Sequence, residues 1–303
     1  MESRDDLTPV YALAGGRDVL DEPPHSGAGD ALARLGAAYS TLGAVARAVS
    51  FYEQALEAQR AEGNREGEAL VLADLAAALW QRGDLDEAIR TYGQAVGLFR
   101  MLDRRTREAA ALNCIGLIYG QRGDLDAALG YHEQALAILW DVGEHAAEAD
   151  TLDVIGMTLR RKGNLREALE AHQQALMIRQ TLRDRSGEAS TRHALAMVYE
   201  ALGEYDRAIA AYETALWLRQ QLDDRPGEAL TCYNLARLYE RMGYLREAEA
   251  LLSRAVDLEV IFHHPDVGKD EAELAALRAR RREAGLLPPE DTTGSFPRLR
   301  DLD

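Results

Sequence analysis

Residues 109–148 read AAALNCIGLIYGQRGDLDAALGYHEQALAILWDVGEHAAE, and the fold of the chain can be argued outward from this stretch. Leu112, Ile115, Gly116 and Tyr119 are spaced three and four apart, the mark of one helix face. Gly123 stops that helix, because glycine enters the left-handed region at little cost. Asp124 follows as the N-cap of a second helix, whose stripe is Leu125, Ala128, Leu129, His132, Ala135, Leu136 and Leu139. Small residues at 116, 128 and 135 allow close approach of the two helices. The stretch predicts a helix–turn–helix hairpin.

The hairpin returns every 40 residues, six times, with no insertion. One column is Gly43, Gly83, Gly123, Gly163, Gly203 and Gly243; a second is Ala48, Ala88, Ala128, Ala168, Ala208 and Ala248. A third is Ala55, Ala95, Ala135, Ala175, Ala215 and Ala255. A fixed period of this size predicts a solenoid, in which each unit buries its apolar face against its neighbours. Asp84 with Glu87 and Asn164 with Glu167 read as capping boxes. Glu68, Glu108, Glu148, Glu188 and Glu228 open successive first helices, where a carboxylate meets the positive end of the helix dipole. Pro226 stands in such a first turn, where it costs the helix nothing.

The pattern Leu35-Gly36-x-x-Tyr39, Gly43, Ala48, Tyr52, Ala55 resembles the tetratricopeptide repeat, and the resemblance covers about residues 29–268. The 40-residue unit is similar to the extended repeats of kinesin light chain, of G-protein signalling modulators and of bacterial regulators. The chain departs from the pattern where the aromatic of position 52 becomes His132, His172 and Leu252, and where Gly36 becomes Ala76, Ala196 and Ala236. These replacements are small or packable. The resemblance implies an all-α solenoid of six such repeats in a right-handed superhelix, with the first helix of each hairpin lining a concave groove. Residues 1–28 read as a flexible arm with a short helix around Asp5–Ala14. After a break at His263-His264-Pro265, residues 269–285 read as a capping helix with Leu274 and Leu277 inward. Residues 286–303 read as a disordered tail, within which Phe296-Pro297-Arg298-Leu299 is a candidate docking motif.

Composition narrows the function. The net charge of −16 opposes binding to a phosphate backbone or to anionic lipid. No stretch has the length and apolarity of a membrane span, and none reads as a signal peptide. Cys114 and Cys232 fall in core columns of different repeats, without disulfide or zinc spacing, so a reducing, cytoplasmic setting is expected. No nucleotide-binding glycine loop is present, and no cofactor is expected.

The face offset by one residue from the packed one varies from repeat to repeat, as a surface that reads a partner would. Its candidate binding residues are Asn113, Leu117, Gln121, Asp153, Met157, Arg160, Arg161, His193, Met197, Glu200, Tyr233, Arg237 and Arg241. Leu117, Met157 and Met197 offer a soft apolar surface suited to a helical or extended peptide. The resembled repeats that clamp a peptide's terminal carboxylate place Lys and Asn in these columns; here Lys is absent and Asn113 stands alone, so the resemblance implies no such clamp. Asp153 and His193, one repeat apart, carry the types of a catalytic pair, yet no nucleophile or oxyanion device accompanies them. His132 and His172 occupy the aromatic column, and packing explains them better than a metal does. The reading is a non-enzymatic scaffold, adaptor or regulatory subunit that binds a peptide segment of another protein. The alternatives are a peptide sensor whose superhelix changes curvature and an enzyme of unrecognised kind. The sequence leaves the oligomeric state open.

Overall fold

A computed structural model describes residues 27–261, 264–265 and 267–285. The helix expected at Asp5–Ala14 and the tail motif Phe296–Leu299 lie outside the described residues. Among the described residues there are thirteen α-helices and no strand. They fall into two compact units, divided in sequence between Arg183 and Asp184.

The first unit holds four hairpins: α1 (Ala28–Thr41) with α2 (Val45–Glu62), α3 (Arg65–Arg82) with α4 (Leu85–Met101), α5 (Arg105–Gln121) with α6 (Leu125–Val142), and α7 (His145–Lys162) with α8 (Leu165–Leu182). The second unit holds α9 (Arg185–Leu202) with α10 (Tyr205–Gln221), α11 (Arg225–Met242) with α12 (Leu245–Ile261), and a last helix, α13 (Val267–Glu283), packed on α12. Within each unit every helix packs on the next in the chain, so burial runs along the array rather than to a single centre.

The two alanine columns are buried at all six repeats, which explains their invariance: each is a point where helices approach too closely for a larger side chain. The glycine column takes positive φ at every first-to-second helix turn, from 73° to 96°. The junctions between hairpins are less uniform. Gly63 and Gly143 take positive φ there, but so do Asp103, Arg183 and Asp223, at 56°, 59° and 53°. Asp tolerates this region; Arg has no such excuse.

The capping boxes do not form as expected. Asp84 pairs with Arg82, and Asn164 donates to Glu167 Oε1 at 3.1 Å; neither side chain accepts a backbone amide. The side chains that cap are Asn64, Asp124, Asp184 and Asp224, which accept from Gly67, Ala127, Gly187 and Gly227. The reason lies in the backbone. The four capping residues have ψ of 87°, 76°, 88° and 78°, whereas Asp84 and Asn164 stand at 62° and 64° and aim their side chains elsewhere.

Candidate interaction site

In the first unit α5 carries Asn113, Leu117 and Gln121, and α7, which touches it, carries Asp153, Met157, Arg160 and Arg161. Leu117, Met157 and Arg160 are half-buried, and Gln121 and Arg161 are exposed. These five keep part of their surface in contact with solvent. Asn113 does not: it is 2% exposed. Its Oδ1 lies 3.0 Å from His132 Nδ1, and its Nδ2 donates to Thr151 Oγ1 at 2.7 Å. Thr151 belongs to the following repeat. An inner first helix is flanked by repeats on both sides, so a face one residue off the packed stripe is still covered.

Asp153 is half-buried and turned inward. It accepts from His172 Nδ1 at 2.8 Å and from Arg179 Nη2 at 2.9 Å, and Arg179 also donates to Asp150 at 2.8 Å. A carboxylate only accepts, so the His172 proton is on Nδ1. Burial works against the Arg179 charge, but Asp153 and Asp150 outweigh it and hold the guanidinium more firmly protonated than usual. Both histidine rings lie flat against glycine. A Cβ built on Gly156 would fall 2.6 Å from His172 Nε2, and one on Gly116 would fall 2.6 Å from His132 Cε1. The two rings therefore fill the aromatic column as packing groups. Burial lowers the His132 pKa to about 4, which keeps that ring neutral.

In the second unit Met197 and Glu200 on α9, and Tyr233 and Arg237 on α11, are half-buried, and Arg241 is exposed. His193 is only 5% exposed and does not stand on an open face. Its Nδ1 lies 3.3 Å from Thr231 Oγ1, its Nε2 receives the Asn234 amide at 3.1 Å, and it meets the edge of Tyr212. Tyr233 donates to Glu273 of α13 at 3.1 Å, and Arg237 lies 3.5 Å from the same carboxylate. Burial leads the causes that push the Tyr233 phenol up.

The last turns of the first helices form a ladder of repeat-to-repeat contacts. Ser40 donates to Gln81 at 3.1 Å, and Trp80 Nε1 donates to Gln121 at 2.7 Å. In the second unit Arg241 meets Glu200 at 2.6 Å, and Arg280 pairs with Glu240. Gly120 has no side chain for its rung, and Arg161 passes beside it.

The glutamate column does more than meet a dipole. Glu108, 1% exposed, receives Arg100 and Arg105, each at 2.8 Å; Glu68 receives Arg60 at 2.7 Å and Arg65 at 2.8 Å. Burial works to raise the Glu68 pKa, but the two guanidiniums prevail and lower it. Glu228 receives Gln220 at 3.1 Å and Arg254 at 3.0 Å. Each clamp ties the end of one hairpin to the start of the next. Two signals in the sequence carry these features: a long polar side chain eight residues before the glutamate, and the runs Asn64-Arg65-Glu66-Gly67-Glu68, Asp184-Arg185-Ser186-Gly187-Glu188 and Asp224-Arg225-Pro226-Gly227-Glu228.

Cys114 and Cys232 are buried, and burial raises their thiols to about 11 and about 12. Among the described residues no group of three or more His, Cys, Asp or Glu side chains is placed to hold a metal. No described helix is long and apolar enough to cross a membrane.

The tetratricopeptide repeat model matches residues 25–101, 107–181 and 187–258. No curated protein matches the chain. Solved structures do. BtubC (BKLC) from P. vanneervenii is 22% identical, with a TM-score of 0.63 over 86% of this chain and 99% of that one. A putative kinesin light chain from Podosopora anserina with nearly identical TPR-like repeats is 23% identical, with a TM-score of 0.54 over 64% of this chain and 95% of that one. A Rap protein complexed with Competence and Sporulation Factor is 16% identical, with a TM-score of 0.58 over 83% of this chain and 75% of that one. With the hairpins, the small-residue columns and the family match in agreement, the chain belongs to the tetratricopeptide repeat family.

Proposed function

We propose that this protein is a non-enzymatic scaffold or adaptor that holds a helical or extended peptide segment of another protein on the inner faces of its first helices. The observation that carries the reading is the set of offset positions that keep solvent exposure after packing. In the first unit these are Leu117, Gln121, Met157, Arg160 and Arg161; in the second, Met197, Glu200, Tyr233, Arg237 and Arg241. Their columns vary along the chain, from Leu117, Met157 and Met197 to Arg237 in one and from Gln121 through Arg161 and Ala201 to Arg241 in another. An interior column such as Ala48–Ala248 does not vary at all. Apolar anchors flanked by arginines suit an amphipathic or acidic-tipped segment. Of the thirteen candidates, Asn113 and His193 are buried and Asp153 is turned inward onto His172 and Arg179, so these three serve only as supports. The solved Rap protein, of like fold, was seen holding Competence and Sporulation Factor, which supports capture of a partner as a use of such an array. The setting we infer is cytoplasmic, without nucleic acid or membrane as partner.

Affinity capture tests this. The intact chain is compared with a variant carrying Met157→Glu and Arg160→Glu, both checked for unchanged helix content. Partners held by the intact chain and lost by the variant are the expected result. Equal capture by both would remove the inner face of the first unit from consideration.

A further inference from the structure

Tyr39, Tyr119, Tyr199 and Tyr239 form a column in the last turns of four first helices. At the first three the chain covers the ring itself. Tyr39 stacks on Phe51 with centroids 5.2 Å apart, and Arg47 Cζ lies 5.6 Å from the Tyr39 ring centre. Tyr119 stacks on Tyr131 at 5.4 Å. Arg207 Cζ lies 4.3 Å from the ring centre of Tyr199. Arg207 also donates through Nη2 to the Tyr199 hydroxyl at 3.1 Å and through Nη1 to Glu204 at 2.6 Å. Arg47 and Arg207 occupy the same place in the repeat, the first turn of the second helix.

The sixth repeat departs from this. Glu247 stands where Arg47 and Arg207 stand, and Tyr244 stands where Glu204 stands. Tyr244 meets Tyr239 at 81° with centroids 6.1 Å apart, so the two rings make a corner. Tyr239 is half-buried and Tyr244 is 50% exposed. Because α11 packs on both α10 and α12, Glu213 of α10 and Glu247 of α12 both act on this ring. Burial, and then the charges of Glu213 and Glu247, push the Tyr239 phenol up to about 12. Glu213 is itself half-buried, and desolvation raises its carboxyl. Among the described residues neither carboxylate has an ion pair, and no cation lies over the Tyr239 ring. Arg246, beside Glu247 in the chain, is exposed and makes no ion pair among the described residues. A carboxylate partly withdrawn from water is stabilised by a cation. This turn has lost its own guanidinium and carries an acid in its place.

We propose that Tyr239, Tyr244, Glu213 and Glu247 receive the guanidinium of an arginine side chain from a partner protein. Arg207 displays the pose in a like turn of the same unit: its carbon lies over a tyrosine ring, one nitrogen meets the hydroxyl and another a carboxylate. A guanidinium is flat and weakly hydrated, stacks on aromatic faces and offers paired donors to carboxylates. An ammonium is a compact, strongly hydrated point charge without that shape. Two carboxylates around a tyrosine corner therefore favour arginine over lysine. The net charge of −16 draws a basic segment towards the chain before contact. The site lies at the turn between α11 and α12 and uses none of the ten positions of the proposed peptide face, so each can fail without the other.

NMR titration of the full chain, labelled at its tyrosine rings, is the test. The probe is the capped peptide acetyl-Gly-Arg-Gly-amide, with its citrulline and lysine analogues and free arginine beside it. The arginine peptide should shift the Tyr239 and Tyr244 ring signals with a Kd on the order of millimolar, as one side chain held alone would. The citrulline peptide keeps the shape without the charge and should leave both signals in place. The lysine peptide should bind at least about threefold more weakly. Free arginine should lose about as much, because its own carboxylate meets two others. Glu247→Arg restores the cation seen at Arg47 and Arg207, so it should abolish binding while the melting temperature is kept. Glu213→Gln should weaken binding about threefold with the fold intact. The proposal is overturned by no shift up to about 50 mM peptide, by an equal response to citrulline, or by undiminished binding in Glu247→Arg. Lysine bound as tightly would overturn the guanidinium assignment, and free arginine bound as tightly would overturn a partner protein as its source.

Discussion

In the second repeat Val71, Ala73, Ala76, Tyr92 and Phe99 fill the space around α3 and α4 largely with hydrocarbon. In the fourth, the same five positions around α7 and α8 are Thr151, Asp153, Gly156, His172 and Arg179. The backbone plan is the same, and Phe99 and Arg179 are both buried. The difference lies in what each interior demands. A hydrocarbon needs only complementary shape, so neighbours can adjust to small changes. A guanidinium, an imidazole and a carboxylate need one another in fixed positions, and removal of any one leaves the others stranded. Repeats three to five thus have polar threads through their cores, whereas repeat two relies on packing. The selectivity of the array for its own arrangement is concentrated in the middle.

The largest effect expected from breaking this contrast is at Arg179. Arg179→Met leaves Asp153 without its buried cation and should cost about 3 kcal/mol; Asp150, which reaches water, tempers the loss. Adding Asp153→Asn should recover more than half, whereas Phe99→Leu in the second repeat should cost only about 1 kcal/mol. Urea denaturation of the four chains measures this. If Arg179→Met unfolds no more easily than Phe99→Leu, the polar core is ornamental.

Acid should separate the two kinds of core next. The His132 pKa in the folded chain lies at about 4, against an ordinary value of 6.5. The unfolded chain therefore takes up the proton first as pH falls. The stability contributed by the neutral ring is complete above pH 6.5 and is lost between there and about pH 4. The loss is about 3 kcal/mol. The wild type should lose that much more than His132→Phe over this interval, as read from denaturation midpoints. Equal slopes would mean the ring is solvated.

The smallest effect concerns the ends of α4 and α8. Arg183→Gly should stabilise the chain by about 1 kcal/mol, because an arginine at φ 59° gives way to a residue at ease there. Asp103→Gly should gain less, since aspartate visits this region more readily. Thermal melts of the pair suffice, and a reversed order would show that Arg183 makes a compensating contact.

The hairpins, their turns and the alanine columns were legible because each is a local, repeated constraint. Gly123 and Ala128 mean the same thing in every unit. Burial of the offset face was not legible, because it depends on the following repeat: whether Asn113 is covered depends on Thr151, 38 residues away. The failure at Asp84 and Asn164 turns on a ψ of 62° and 64° where the capping residues have 76° to 88°, which residue type does not encode. The Arg100–Glu108 clamp spans a turn at a separation of eight, a spacing no helical periodicity pairs. Of the offset face, the partial exposure of Leu117, Met157 and Met197 and of the arginines was readable from the sequence. The polar residues nearest the helix middle were not, since the same types serve solvent and interior equally well.

The hydrogen bond from Asn113 to Thr151 bears on how such a chain could be rearranged. A donor in one hairpin has its acceptor in the following one, so these two cassettes recognise their order. Duplicating the second repeat in place would leave hydrocarbon facing hydrocarbon and extend the array smoothly. Exchanging the third and fourth would part the Asn113 amide from the Thr151 hydroxyl, whereas Arg179 would travel with Asp150 and Asp153 on its own hairpin. Order is thus set by the amide–hydroxyl pair that joins two hairpins and is indifferent to the arginine cluster held within one.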